Sequence, residues 1–197
     1  MRVNPGDNFN MEHIARSVMV AGLYPNVAHS ASVRESKGKS GSGKQSFRTR
    51  LGFMAEGSRV TVHPTSVISE KSLNPQGAYF LLYHEKIQTT QVFIRGCTML
   101  PHLAVALFGG FLEGAEEEVP AALGVSKSWC IMRVDKFLKF AIDRSEGNLL
   151  LKFREVLDEV MSRWVSGLER RDVERAVVRC ALQLLHATCQ DALKEGG

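Results

Sequence analysis

Between Gly57 and Cys97 the chain alternates apolar and polar residues with a period of two, and on either side the period lengthens to three or four. A strand sends successive side chains to opposite faces, whereas a helix returns to one face every three to four residues. No other feature restricts the fold as strongly. Arg59-Val60-Thr61-Val62-His63 alternates, as do parts of Tyr79 to Glu85 and Gln91 to Arg95. The Val, Thr, Ile, Tyr and Phe in these stretches suit a pleated, half-buried surface. Turn signals separate them at His63-Pro64, Asn74-Pro75-Gln76-Gly77 and Arg95-Gly96. The spacing predicts a small antiparallel sheet closed into a barrel.

The flanks read as helical. Met11, Ile14, Ala15, Val18 and Met19 predict a short helix over Asn10–Gly22, with Pro25 barring its continuation. Pro101 to Phe108 predicts another, ended by Gly109-Gly110, then an acidic loop from Glu113 to Gly124 and a last strand at Ser128–Val134. From Leu149 to Leu168 one apolar stripe runs through Leu150, Phe153, Val156, Leu157, Val160, Met161, Trp164 and Val165. Asp172 can cap a final helix, with Val173, Val177, Cys180, Leu184 and Ala187 expected inward. The fold class is therefore α+β: a short helix, a small antiparallel barrel, then C-terminal helices. The boundaries expected are 1–25, 26–135 and 136–197.

The 197 residues, 44% hydrophobic, suffice for one domain or a compact domain with an appendage. The net charge of +4 is too mild to identify a partner, but it is unevenly placed. Six basic residues and one acid lie between Ser30 and Arg50: Arg34, Lys37, Lys39, Lys44, Arg48 and Arg50 against Glu35. With serine and glycine between them, they read as a mobile, solvated basic loop over 30–50. Phosphate backbones reward such cations, because neutralising phosphates releases counterions. A solvated linker would have the same composition. Beside a small barrel carrying Tyr79, Tyr83, His84 and Phe93, the reading tips towards nucleic acid, since such barrels bind single strands by stacking and polar groups.

Other chemistries find little support. Gly38-Lys39-Ser40-Gly41-Ser42-Gly43-Lys44-Gln45 nearly matches a phosphate-binding loop, but Gln45 stands where a magnesium-ligating hydroxyl is needed. Cys180, His186 and Cys189 lack a fourth zinc ligand. Cys97 follows a strand alone and reads as packed, and no GxSxG elbow occurs. Glu116-Glu117-Glu118 reads as a solvated acidic turn. No metal site and no catalytic residue is expected. Met99 to Leu112, the longest apolar run, is broken by Pro101 and His102 and is too short to span a membrane. The N-terminus lacks the apolar core of a signal peptide, and four scattered cysteines suit a reducing, intracellular setting.

Three stretches carry a family resemblance. They are Ala21-Gly22-Leu23-Tyr24-Pro25-Asn26-Val27-Ala28, then Val62-His63-Pro64-Thr65-Ser66-Val67, then Tyr83-His84-Glu85-Lys86-Ile87-Gln88-Thr89-Thr90-Gln91-Val92-Phe93-Ile94-Arg95. Thr98 and Leu107-Phe108-Gly109-Gly110 follow the third. In order and spacing they resemble the C-terminal region of DEAH-box RNA helicases, in the branch close to RNA helicase A. The resemblance covers residues 10–112, and 113–197 by pattern alone. It implies that 1–25 corresponds to the end of a helical ratchet region and that 26–135 is an auxiliary OB-fold.

It also implies an ATP-driven motor, whose phosphate loop, DEAH box and arginine finger this sequence does not contain. ATP and Mg are thus expected only with motor domains upstream, with no cofactor here and no catalysis by this chain alone. The RNA contacts implied by the resemblance are His63, Thr65, Ser66, Lys86 and Thr90, to which the basic stretch adds Lys37, Lys39, Lys44, Arg48 and Arg50. The partners expected are single-stranded RNA, helicase core domains and a protein cofactor, with no membrane. The alternatives are a standalone single-strand-binding module and a protein-interaction adaptor.

Overall fold

The computed structural model describes residues 11–37, 46–68, 73–74, 77–115, 129–135, 137–169 and 171–194. Two compact units result: Leu23–Leu100, and residues 1–22 together with 101–197. This division differs from the expected 26–135 barrel region, since the chain leaves the first unit after Leu100.

The first unit is a seven-stranded sheet. Its strands are β1 (Val27–Lys37), β2 (Ser46–Ala55), β3 (Ser58–Val62), β4 (Phe80–Leu82), β5 (Glu85–Gln88), β6 (Val92–Arg95) and β7 (Thr98–Leu100), in the order β5-β6-β3-β2-β1-β4-β7. Alternation makes the inward side: Ala28, Leu51, Phe53, Val60, Val62, Leu81, Tyr83 and Ile94 form one buried cluster. Two expectations need correcting. The sheet is not closed, because among the described residues its edge strands β5 and β7 do not pair. It is also not purely antiparallel, for β3 runs parallel to β6, with Thr61 beside Phe93 and Val62 beside Ile94. Alternation reveals which face is apolar but carries no information on strand direction.

The basic stretch at 30–50 is the third correction. β1 and β2 are antiparallel from His29–Met54 out to Lys37–Ser46, so residues 30–37 and 46–50 belong to a long hairpin rather than a loop. Backbone hydrogen bonds build this ladder, and they do not require apolar side chains. β2 turns into β3 through Glu56 (φ 50°) and Gly57 (φ 76°), a two-residue turn closed by Ala55 and Ser58. Both φ values are positive, the geometry that matches the twist of a hairpin.

The second unit contains α1 (Met11–Leu23, its last residue reaching into the first unit), α2 (His102–Phe108), β8 (Leu112–Ala115), β9 (Trp129–Val134), β10 (Leu138–Asp143), α3 (Arg144–Val165) and α4 (Asp172–Lys194). β10, β9 and β8 form a separate antiparallel sheet. The last strand expected at 128–134 exists, but Glu113–Ala115 is strand rather than acidic loop, and β10 was not anticipated. Residues 116–124 of that loop lie outside the described residues.

Asp143 caps α3 by accepting from the Ser145 amide at 2.9 Å. Arg154 of α3, paired with Asp158, donates to the Ala106 and Gly109 carbonyls at 2.8 and 3.0 Å, satisfying the C-terminal end of α2. Ile14 and Val18 of α1 line a groove of about 150 Å³ with Phe108, Leu157, Ala181 and Leu182. Val18 nevertheless stays largely exposed, so the apolar face of the first helix is only partly covered.

The inward face of α4 is rotated from the expected one. Glu174, Ala181 and Leu185 are buried, whereas Val173 and Leu184 are exposed, as is Cys180. Glu174 sets this face. Its carboxylate accepts from Arg163 Nε (2.8 Å), Trp164 Nε1 (2.9 Å) and the Arg171 amide (3.2 Å). The Trp164 bond, foremost among these donors, holds the Glu174 carboxyl below the usual carboxylate range.

Candidate nucleic-acid interface

The expected contact residues fall on the two sides of one edge of the first unit. In the parallel register, Thr61 and Phe93 share a face, and the chain continues to His63 beside Arg95. Val62 and Ile94, one residue along, point into the core. The outward face of β3 and β6 thus presents Thr61, His63, Phe93 and Arg95 together.

The contacts confirm this grouping. Arg95 Nη2 lies 2.9 Å from His63 Nε2, and His63 Nδ1 lies 2.7 Å from Thr65 Oγ1. A guanidinium can only donate, so Nε2 faces the Arg95 donor, while Nδ1 faces both the hydroxyl and the amide of Thr65, the amide at 3.2 Å. The His63 ring meets Phe93 edge-on with centroids 5.5 Å apart, and the Thr61 hydroxyl donates to Gln91 Oε1 at 3.4 Å. The result is an exposed array of cation, imidazole, hydroxyl and aromatic ring. Its groups can donate to phosphate or a 2′-hydroxyl and offer a ring edge to a base.

Ser66 is tied into the same turn by its amide, which donates to the His63 carbonyl at 2.8 Å. Its side chain hydrogen-bonds Cys97, whose thiol burial nevertheless pushes up to about 11. Such a thiol is protonated near neutrality and is no nucleophile. Thr90 is exposed in the β5–β6 turn, where the Thr89 amide bonds the Gln91 carbonyl at 3.0 Å.

Lys86 stands apart. It pairs across the ladder with Ile94, which places it on the opposite side of the sheet from Arg95. Its ammonium meets Glu56 Oε2 at 2.5 Å. That bond holds Lys86 above the usual lysine value.

Of the basic stretch, Lys37 lies in β1 opposite Ser46, while Arg48 and Arg50 lie in β2 opposite Glu35 and Val33. Lys39 and Lys44, with the near-match to a phosphate loop, fall outside the described residues. Tyr83 is not available for stacking. It is 2% exposed, part of the core, and burial pushes its phenol up. Tyr79 is also engaged, its hydroxyl accepting from the Asn74 amide at 3.2 Å.

Arg95 was missed as a site residue. The signal was present in its alternation with buried Ile94, which puts it on the face of Phe93.

Residues 15–112 match a family described as oligonucleotide/oligosaccharide-binding (OB)-fold. The DExH-box ATP-dependent RNA helicase DExH1 of Arabidopsis thaliana is 28% identical over 182 residues, covering 91% of this chain and 16% of that protein. The ATP-dependent DNA/RNA helicase DHX36 of Mus musculus is 26% identical over 154 residues, covering 78% of this chain and 13% of that protein. Its Homo sapiens counterpart is 26% identical over 157 residues, with 79% and 14% covered. The chain spans only 13–16% of the length of these relatives.

Proposed function

The chain belongs, through residues 15–112, to the OB-fold family found at the C-terminal end of DExH/DEAH-box helicases, and we propose that it supplies single-stranded RNA binding to an ATP-driven helicase motor. The observation that carries this reading is the His63–Arg95–Thr65 array beside Phe93. It leaves the Arg95 guanidinium, hydroxyls and an aromatic ring together on the outward face of β3 and β6. Arg95, oriented by its bond to His63, positions a sugar-phosphate turn, Thr65 and Ser66 offer hydroxyls, and Phe93 meets the imidazole edge-on. Lys86 and Thr90 extend the surface around the edge strand β5. The β1–β2 hairpin, with Lys37, Arg48 and Arg50, adds phosphate attraction without sequence preference.

On this reading the motor's ATP and Mg bind elsewhere, in helicase core domains that are this chain's working partners, together with a protein cofactor. The chain alone neither hydrolyses ATP nor unwinds a duplex. Titration of the purified chain with fluorescent single-stranded and duplex RNA tests the proposal. Tighter binding of the single strand, weakened by His63→Ala, is the expected result. Equal binding of both forms, or no effect of His63→Ala, would overturn it. ATP hydrolysis that disappears in Lys44→Ala would contradict the division of labour.

A further inference from the structure

The Lys86–Glu56 pair is built differently from the array on the other face. Glu56 occupies the first loop position of the β2–β3 turn at φ 50°, ahead of Gly57 at 76°. Turns of this geometry favour Asn or Gly there, so a glutamate is held against local preference. An observed departure of that kind is a reason to look for a role. The carboxylate reaches across to β5, and the two side chains remain 38% (Lys86) and 47% (Glu56) exposed. An exposed pair of this kind contributes little to stability and opens readily. Chemically, a carboxylate oxygen on an ammonium reproduces what a phosphate oxygen would do in its place.

We propose that Glu56 is an intramolecular competitor for Lys86, occupying the position in which Lys86 would hold a phosphate of single-stranded RNA. The proposal rests on the reading of this edge as an RNA interface. Lys86 then contributes only when a phosphate displaces Glu56. The affinity of the edge is set below what its cation alone would give. A strand crossing from the outward face of β6 around edge strand β5 meets the array first and the guarded lysine second.

The test is a double-mutant cycle on the full chain, with a fluorescent oligouridine of about 12 nucleotides, within the length a single fold of this kind covers. Wild type, Glu56→Gln, Lys86→Ala and the double variant are titrated at two salt concentrations. Competition predicts that Glu56→Gln binds about two- to fivefold tighter than wild type, the range an exposed ion pair allows. Lys86→Ala binds more weakly, and the double variant matches Lys86→Ala, because Glu56 acts only through Lys86. Two results overturn the proposal while leaving the interface standing. In one, Glu56→Gln tightens binding by the same factor in the Lys86→Ala background, so that it acts as a diffuse negative charge. In the other, Glu56→Gln binds no tighter than wild type, so that Glu56 positions Lys86 rather than blocking it. Absence of binding by wild type would overturn the interface reading itself, and this proposal with it.

Discussion

Two polar assemblies in this protein use similar parts to opposite ends. Around Glu174 an arginine, an indole and a backbone amide converge on one carboxylate that is 6% exposed. Around His63 an arginine, a phenyl ring and a threonine hydroxyl surround an imidazole at the surface. In the first the carboxylate's oxygens are engaged by three donors, and opening it would strand a buried charge. In the second, Arg95 commits one Nη to His63, and its other donors face outward. Saturation and burial make a structural knot; on the proposed reading, spare donors and exposure make a binding surface.

The comparison breaks most visibly if the knot proves dispensable. Glu174→Ala is expected to lower Tm by about 5–10 °C, more than any surface variant in the first unit, as followed by circular dichroism. On the binding side, replacing Lys37, Arg48 and Arg50 together with Ala should cost about tenfold in affinity for all RNAs alike. It should also flatten the salt dependence by about two units of slope, measured by titration across salt concentrations. Arg95→Ala should weaken single-strand binding about fivefold and leave duplex binding nearly unchanged.

A smaller effect sharpens the structural side. The Glu174 carboxyl is held below its ordinary value, so its contribution is present above the unfolded carboxylate value of about 4.3 and lost as pH falls through the folded value. The Tm gap between wild type and Glu174→Gln should therefore shrink when thermal melts are moved from pH 7 to about pH 3.

The same contrast explains how much was legible in the sequence. Alternation identified the strands carrying Val60, Val62 and Ile94, and the helical stripe identified Leu150, Leu157 and Val160, because apolar burial leaves a periodic trace. The motif set around His63 and Lys86 pointed to the OB-fold family that the match over residues 15–112 supports. Three features left weaker traces. The β1–β2 hairpin is held by backbone pairing over a stretch whose Ser, Gly and Lys content reads as loop. The parallel β3–β6 pair depends on strand direction, which alternation does not encode. The inward face of α4 differs from the expected one because it starts with a glutamate in the first turn, and a buried charge is legible only once Trp164 and Arg163 are seen to satisfy it. Lys86 was grouped with His63, yet the same period of two, carried across the ladder to Ile94, places it on the other side.

The most direct test measures Tm and single-strand RNA affinity side by side on Arg95→Ala and Glu174→Gln, with binding read well below both melting temperatures. Arg95→Ala is predicted to lose about fivefold in affinity while its Tm stays within about 2 °C of wild type. Glu174→Gln is predicted to lose Tm and keep its affinity. An Arg95→Ala chain that melts as early as Glu174→Gln, with RNA affinity unchanged, would show that the outward array is a second structural knot and not a binding surface.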